Sequence, residues 1–180
     1  MFEVSGNSPF AKEKALTISE ALDIAEDITG DYYKFSVDQW KRHRYDVRTG
    51  FPSRHRLVSP KAFALLSKYS SRADRLELPA RKRDFYLICL QDRQILRAVR
   101  RDKNVDLLAL LVYIFTHELV HIVRFCSFYQ RFDAKGPSRE KEERIVHSTT
   151  FDILKDLPLR NLNYILESYS DHRICDIALS

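Results

Sequence analysis

The stretch from Asn104 to Tyr129 constrains the fold of this chain more than any other, because it contains no glycine or proline. An uninterrupted stretch of this length predicts one long helix. From Leu107 to Phe115 its residues are apolar on nearly every face. Since a helix that is apolar all round lies in a protein core, we expect the chain to fold around a buried helix over 104–129.

Length and composition indicate one mostly helical domain. The 180 residues suit a single domain, and 4 glycines and 6 prolines are few for a β-sandwich or a barrel. The three cysteines are odd in number and widely spaced, which argues against a disulfide framework and a cysteine-rich zinc finger. The N-terminus has no signal-peptide core, and the apolar run Leu107–Phe115 is too short to span a bilayer. We therefore expect a cytoplasmic protein that does not enter a membrane.

Weaker patterns divide the N-terminal half of the chain. Residues 1–15 are expected to form a loose arm. The sequence Thr17-Ile-Ser-Glu20 has the form of a capping box, which predicts an amphipathic helix that begins there and ends near Gly30. The dipeptide Ser59-Pro60 predicts the start of a short helix through Tyr69.

The C-terminal half carries clearer patterns. Residues 84–91 are rich in aromatic and strand-favouring side chains and predict a strand. A second, poorer strand is expected over Ile95–Val99, with a helix as the alternative. The glycine and proline within 135–138 break the chain before another helix, which should run to about Asp156. A last short helix is expected over Leu159–Tyr169.

The residues that indicate chemistry are His117-Glu118-Leu-Val-His121, inside the buried helix. Residues four apart share one helical face, so two imidazoles at this spacing can bind one tetrahedral metal ion. Glu118 is rotated by about 100° from His117 and can act as a general base on a water at the metal. Zinc lowers the pKa of such a water to about 7. Burying these ionisable groups without a partner would cost several kcal/mol, which also favours a metal.

A third ligand is expected from the helix that follows the break. Its inward face is formed by Val146, Thr150, Ile153, Leu154 and Leu157. Projected back by one turn, this face places Glu143 near its middle and Glu142 at one edge, whereas Glu140 points away. His147 lies on the other flank. Glu143 can therefore enter the core as a ligand, and His147 is the rival third ligand.

These two segments resemble the zincin metallopeptidases of the gluzincin type, which bind zinc through two histidines and a glutamate. The resemblance covers residues 84–157 and is carried by His117-Glu118-x-x-His121 and by Glu143-Arg-Ile-Val-His147. The second segment is similar in shape to that of small cytosolic members that cleave repressors and transcription regulators. The resemblance implies Glu143 as the third zinc ligand and His147 as an outer-shell group, although the family usually has Asp or Asn there.

We therefore expect a single α+β, zincin-like domain over 1–180, with a metallopeptidase-like core over 84–157 and a small sheet packed on the buried active-site helix. The resemblance implies hydrolysis of a peptide or protein substrate. The tyrosine or histidine that steadies the tetrahedral intermediate in that family is not singled out by spacing. The candidates are Tyr113, Tyr129, Tyr164, Tyr169 and His172.

Two other functions remain open. The chain could bind zinc without catalysis and serve interaction or regulation. It could also associate with nucleic acid through the basic stretch 41–56, because the net charge is +5. Acidic residues are interspersed along the chain, so a solvated surface is the favoured interpretation of that stretch.

Overall fold

The computed structural model describes residues 2–4, 12–40, 43–50, 62–70, 84–170 and 175–179. These residues form an α+β fold in which helices cover a mixed sheet, as the sequence predicts at this level. The helices are α1 (Lys12–Tyr33), α2 (Val37–Trp40), α3 (Asp92–Arg101), α4 (Leu107–Cys126), α5 (Pro137–Leu154) and α6 (Leu162–Ser168). The strands are β1 (Phe2–Val4), β2 (Tyr45–Thr49), β3 (Ala64–Ser70), β4 (Asp84–Leu90) and β5 (Cys175–Leu179).

The sheet has five strands in the order β1-β2-β4-β3-β5. β4 lies in the middle, parallel to β2 and antiparallel to β3, and the outer strands β1 and β5 each pair in parallel with their neighbours. Ile88 of β4 is in register with Val47 of β2 and with Leu66 of β3. All three side chains belong to the main core, so this row of the sheet faces the helical layer.

Helix α4 forms the centre of the protein. Every residue from 109 to 123 is buried, and α1 packs along it. The Tyr86 ring of β4 stacks on Phe125 of α4 with ring centroids 6.4 Å apart, so the sheet rests on the end of this helix. The prediction of a buried helix within 104–129 is therefore confirmed.

The length argument against a membrane span was wrong, because it counted only Leu107–Phe115. The whole of α4 is long and apolar enough to cross a bilayer, although 83% of its most apolar window is buried inside the protein. The apolar core helix of a soluble protein passes the same test of length and composition. The cytoplasmic location stays a prediction.

Several expectations for the N-terminal half were wrong. The range 1–15 contains β1 and the first residues of α1, which begins at Lys12. The capping-box sequence lies inside α1, and so does Gly30. A Cβ atom at Gly30 would stand 2.8 Å from Nε1 of Trp40, so the glycine leaves room for an indole and does not end the helix. The helix expected over 59–69 is strand β3 from Ala64 onward, and residues 51–61 lie outside the described part.

The C-terminal half follows the sequence more closely. β4 confirms the strand over 84–91, but Ile95–Val99 lies within α3, so the helical alternative was the correct one. Gly136, with φ at 58°, turns the chain into α5, which begins at Pro137. The last helix, α6, confirms the short helix expected over 159–169.

Helix α5 is held against α4 by an ion pair that crosses the two helices. The Arg124 guanidinium donates to both oxygens of the Glu142 carboxylate, at 2.6 and 2.9 Å. The two side chains are only 15% and 6% exposed. A bidentate pair fixes both distance and orientation, so this contact sets the rotation of the first turns of α5.

We expect Glu142→Gln to lower the free energy of unfolding by about 3 kcal/mol, because it leaves the Arg124 charge without its carboxylate in a largely buried position. Urea denaturation in the presence of a chelator measures this cost without a contribution from metal. The exposed Glu140 on the same helix supplies the control, since Glu140→Gln should change stability by less than about 0.5 kcal/mol. Equal effects of the two substitutions would contradict the anchoring role of the ion pair.

Candidate metal centre

The functional side chains lie along one seam between α4 and α5. On α4, Tyr113, His117 and His121 follow one another at intervals of one helical turn. On α5, Glu143 and His147 have the same spacing. Glu143 contacts His121, whereas His147 contacts Tyr113, so the two helices run antiparallel and their functional faces meet.

The Glu143 carboxylate lies against both histidines of α4. Its Oε2 is 3.6 Å from Nε2 of His117, and its Oε1 is 3.5 Å from Nε2 of His121. Both imidazoles are fully buried, while the Glu143 side chain is 25% exposed. The sequence-predicted set of two histidines and Glu143 is therefore brought together at one point.

These distances suit a shared metal ion better than they suit hydrogen bonds. Good N–H···O bonds measure about 2.7–3.2 Å, and no ring nitrogen of His117 or His121 has a hydrogen-bond partner among the described residues. Nitrogen and oxygen ligands at about 2.0–2.2 Å from a tetrahedral zinc stand about 3.4 Å apart. The observed 3.5 and 3.6 Å are close to that separation. The donor set of imidazoles and a carboxylate is also one that zinc accepts.

Burial and neighbouring charges shift the pKa values of the three donors in different directions. Burial lowers the pKa of His117 to about 3, so this imidazole is neutral at physiological pH and offers a lone pair. Burial also disfavours the charged form of His121, but the Glu143 carboxylate outweighs it and raises the pKa of His121. Burial likewise raises the pKa of Glu143, yet the two imidazoles outweigh it and hold that pKa well below its usual range. The carboxylate is therefore ionised.

His147 belongs to the same cluster. A ligand atom of His147 lies within 4.8 Å of those of His117 and Glu143, and the three residues form a group that could hold a metal ion. The ring centroids of His117 and His147 are 4.7 Å apart. Both third-ligand candidates from the sequence are thus at the site.

The structure also places three other acidic residues of α4 and α5, and only Glu142 differs from the sequence prediction. Glu118 is fully buried on α4, and its charge contributes to the raised pKa of His121. Glu140 is exposed. Glu142, expected at the edge of the inward face, is buried and binds Arg124. The signal that could have revealed this pair is Arg124 itself, a cation in the last turn of an apolar helix, which needs a partner when buried.

The structure also distinguishes among the candidates for the residue that would steady the tetrahedral intermediate. The Tyr113 hydroxyl lies 3.2 Å from Nδ1 of His147. Tyr164 donates to Asp102, and Tyr129 is 68% exposed with Arg124 over its ring. His172 lies outside the described residues. Only Tyr113 is shown in contact with a member of the cluster among the described candidates.

A small surface pocket adjoins the cluster at Glu143. It is partly open to solvent, and Glu143 forms part of its wall. Its walls include Phe125, Phe132, Arg139, Glu142 and Ile177. Because Ile177 belongs to the outer strand β5, the pocket lies beside an edge of the sheet.

Comparison of the chain with known protein families, curated proteins and solved structures finds no match. The basic stretch 41–56 is described only for residues 43–50, within which Arg44 and Arg48 are exposed. That segment contains β2 and shows no arrangement that favours nucleic acid over solvent.

The zinc affinity of the site should increase as the pH rises from about 6 to about 8. The pKa of His121 is raised by Glu143, so below that pKa the metal has to displace a proton from the ring. Calorimetric titrations with zinc in two buffers of different ionisation enthalpy measure the protons released. An affinity that is independent of pH, with no proton released, would show that His121 is not a ligand.

Replacement of a ligand should abolish stoichiometric zinc binding. Loss of an outer-shell partner lowers metal affinity by about 10- to 100-fold. Loss of a ligand should cost more, so His117→Ala, His121→Ala and Glu143→Gln should each lower zinc affinity by more than about 100-fold. Metal analysis and competition with a chromogenic chelator give the affinities. Glu140→Gln is the control on the same helix and should bind zinc like the wild type. Full zinc in both histidine variants would place the metal elsewhere.

Proposed function

We propose that this chain is a zinc-dependent peptidase with a zincin-like fold. His117, His121 and Glu143 hold the metal, and Glu118 acts as the general base. The observation that carries the proposal is the contact of one carboxylate, Glu143, with two fully buried imidazoles that stand one turn apart on a core helix. Zinc bound there would polarise a substrate carbonyl and lower the pKa of a water.

Glu118 fits the role of proton carrier. It projects about a third of a turn away from His117, so it can approach a water at the cluster without competing for a coordination position. It is fully buried, and its charge acts on His121, which stands on the same helix. It would take a proton from the attacking water and then give that proton to the leaving amine.

The position of the pocket that Glu143 lines supports a peptide or protein substrate. The pocket is small and partly open to solvent. A segment that lies across the surface suits such a pocket better than an enclosed small molecule. The adjacent outer strand β5 could pair with an extended substrate through its backbone. The resemblance to small peptidases that cleave regulators points the same way.

A second candidate function is zinc binding without catalysis, in an interaction or regulatory protein. The observation in its favour is His147, which could supply a fourth protein donor next to His117 and Glu143. Structural zinc sites close all four positions with protein ligands, whereas catalytic sites keep one open. The carboxylate of Glu118 has no task in a closed site, so its replacement separates the two functions.

Glu118→Gln should keep zinc and stability but lose turnover by about 10²- to 10⁴-fold, the usual cost of losing a general base. Cleavage of a peptide library, followed by mass spectrometry, measures turnover for wild type and variant side by side. Glu140→Gln serves as the isosteric control on an exposed carboxylate and should keep activity. If the zinc-loaded wild type cleaves no peptide and its metal has four protein ligands, the non-catalytic function is the correct one.

A further inference from the structure

Arg139 lies on α5 one helical turn before Glu143, and both residues line the small pocket beside the cluster. Residues four apart share one face of a helix, so Arg139 is on the face that carries Glu143. Phe125 of α4 lines the same pocket, and its ring stacks on His121 with ring centroids 5.6 Å apart. The pocket therefore borders the cluster on both helices.

The two carboxylates in the pocket wall are already engaged with other groups. Glu142 accepts two hydrogen bonds from Arg124, at 2.6 and 2.9 Å. Glu143 turns its oxygens toward His117 and His121, at 3.6 and 3.5 Å, where a bound metal ion would neutralise its charge. Neither carboxylate is therefore free to neutralise another cation of the pocket.

The two guanidinium groups in the pocket wall differ from each other. Arg131 donates to both oxygens of Asp133, at 3.1 and 2.9 Å. The Arg139 guanidinium forms no hydrogen bond or ion pair within the described part of the chain, although the residue is only partly exposed. A guanidinium keeps its charge at every physiological pH, and its planar fork of donors matches the two oxygens of a carboxylate. Arg139 therefore places a cation beside the cluster that can bind an anionic group.

We propose that Arg139 is a specificity-determining residue that binds a carboxylate of the peptide substrate close to the scissile bond. The inference rests on the proposed function, because it assigns a substrate class to the same site. Apolar side chains of Phe125, Phe132 and Ile177 form part of the pocket wall. Such surroundings strengthen a charge-assisted hydrogen bond. The net charge of +5 also favours the approach of an acidic segment.

The spacing along α5 limits where the bound carboxylate lies in the substrate. One helical turn, the separation of Arg139 from Glu143, rises by about 5.4 Å, and an extended peptide advances by about 3.3 Å per residue. The carboxylate should therefore lie about one or two residues from the bond that is cleaved. It can belong to an Asp or Glu side chain or to the C-terminus of a short peptide.

Cleavage of a peptide library, followed by mass spectrometry, tests the inference. Peptides with free and with amidated C-termini separate a side-chain carboxylate from a terminal one. The zinc-loaded wild type is compared with Arg139→Gln, which removes the charge, and with Arg139→Glu, which reverses it. Arg144→Gln is the matched control, because Arg144 is exposed on the same helix and does not line the pocket. Metal analysis and thermal denaturation monitor the site and the fold.

A binding measurement separates recognition from turnover. Fluorescence anisotropy of labelled peptides that carry Glu or Gln at the preferred position reports their affinity for zinc-loaded Glu118→Gln protein, which should not cleave them. Addition of Arg139→Gln to that protein should remove the advantage of the Glu peptide. The advantage should also weaken as the salt concentration rises, because salt screens a partly exposed charge pair.

The inference predicts that the wild type favours a carboxylate over its neutral amide by about 10-fold or more in kcat/KM, the usual effect of a hydrogen bond to a charged group. Arg139→Gln should lose this preference, Arg139→Glu should favour Lys or Arg at the same position, and Arg144→Gln should behave like the wild type.

Two results would overturn the inference and leave the proposed function standing. One is cleavage by the wild type without a preference for a carboxylate, and the other is a preference that survives in both Arg139 variants. Loss of zinc or of the fold in both variants would assign Arg139 a structural role and also overturn the inference. A zinc-loaded wild type that cleaves no peptide would overturn the proposed function, and the inference with it.

Discussion

The seam between α4 and α5 is the contact on which the rest of the site depends. Each helix alone presents ionisable groups that are costly to bury, since an unpaired charge in a core costs several kcal/mol. The bidentate pair of Arg124 and Glu142 neutralises one charge from each helix and sets their rotation. With that rotation, the next residue on α5, Glu143, faces the two buried histidines.

The packing around α4 explains why an apolar helix can carry His117, Glu118 and His121 without exposure. The sheet covers one end of α4, through Tyr86 on Phe125, and α1 packs along its length. Water is therefore excluded from most of the helix, and the low dielectric strengthens each remaining electrostatic contact. In such surroundings little solvent competes for the lone pairs of the two buried imidazoles, which favours a bound cation.

Features that depend on local spacing could be predicted from the sequence. Helix α4 follows from a stretch without glycine or proline, and the pairing of His117 with His121 follows from a separation of four residues. Projection of the inward face of α5 placed Glu143 at the cluster for the same reason. The sequence predictions were wrong where residues distant in the sequence determine the local structure. Ala64–Ser70 reads locally as helix after a Ser-Pro start, but its backbone hydrogen bonds are made by β4 and β5. The burial of Glu142 depends on Arg124 of another helix, and the contact of Tyr113 with His147 depends on the docking of α5.

The central claim is that the buried cluster between α4 and α5 binds one metal ion. Anomalous diffraction from crystals of zinc-loaded protein, collected above and below the zinc absorption edge, tests it most directly. The account predicts a single anomalous peak at about 2.0–2.2 Å from an oxygen of Glu143 and from Nε2 of both His117 and His121. A cluster without a peak, or a peak confined to surface residues such as His43, would contradict it.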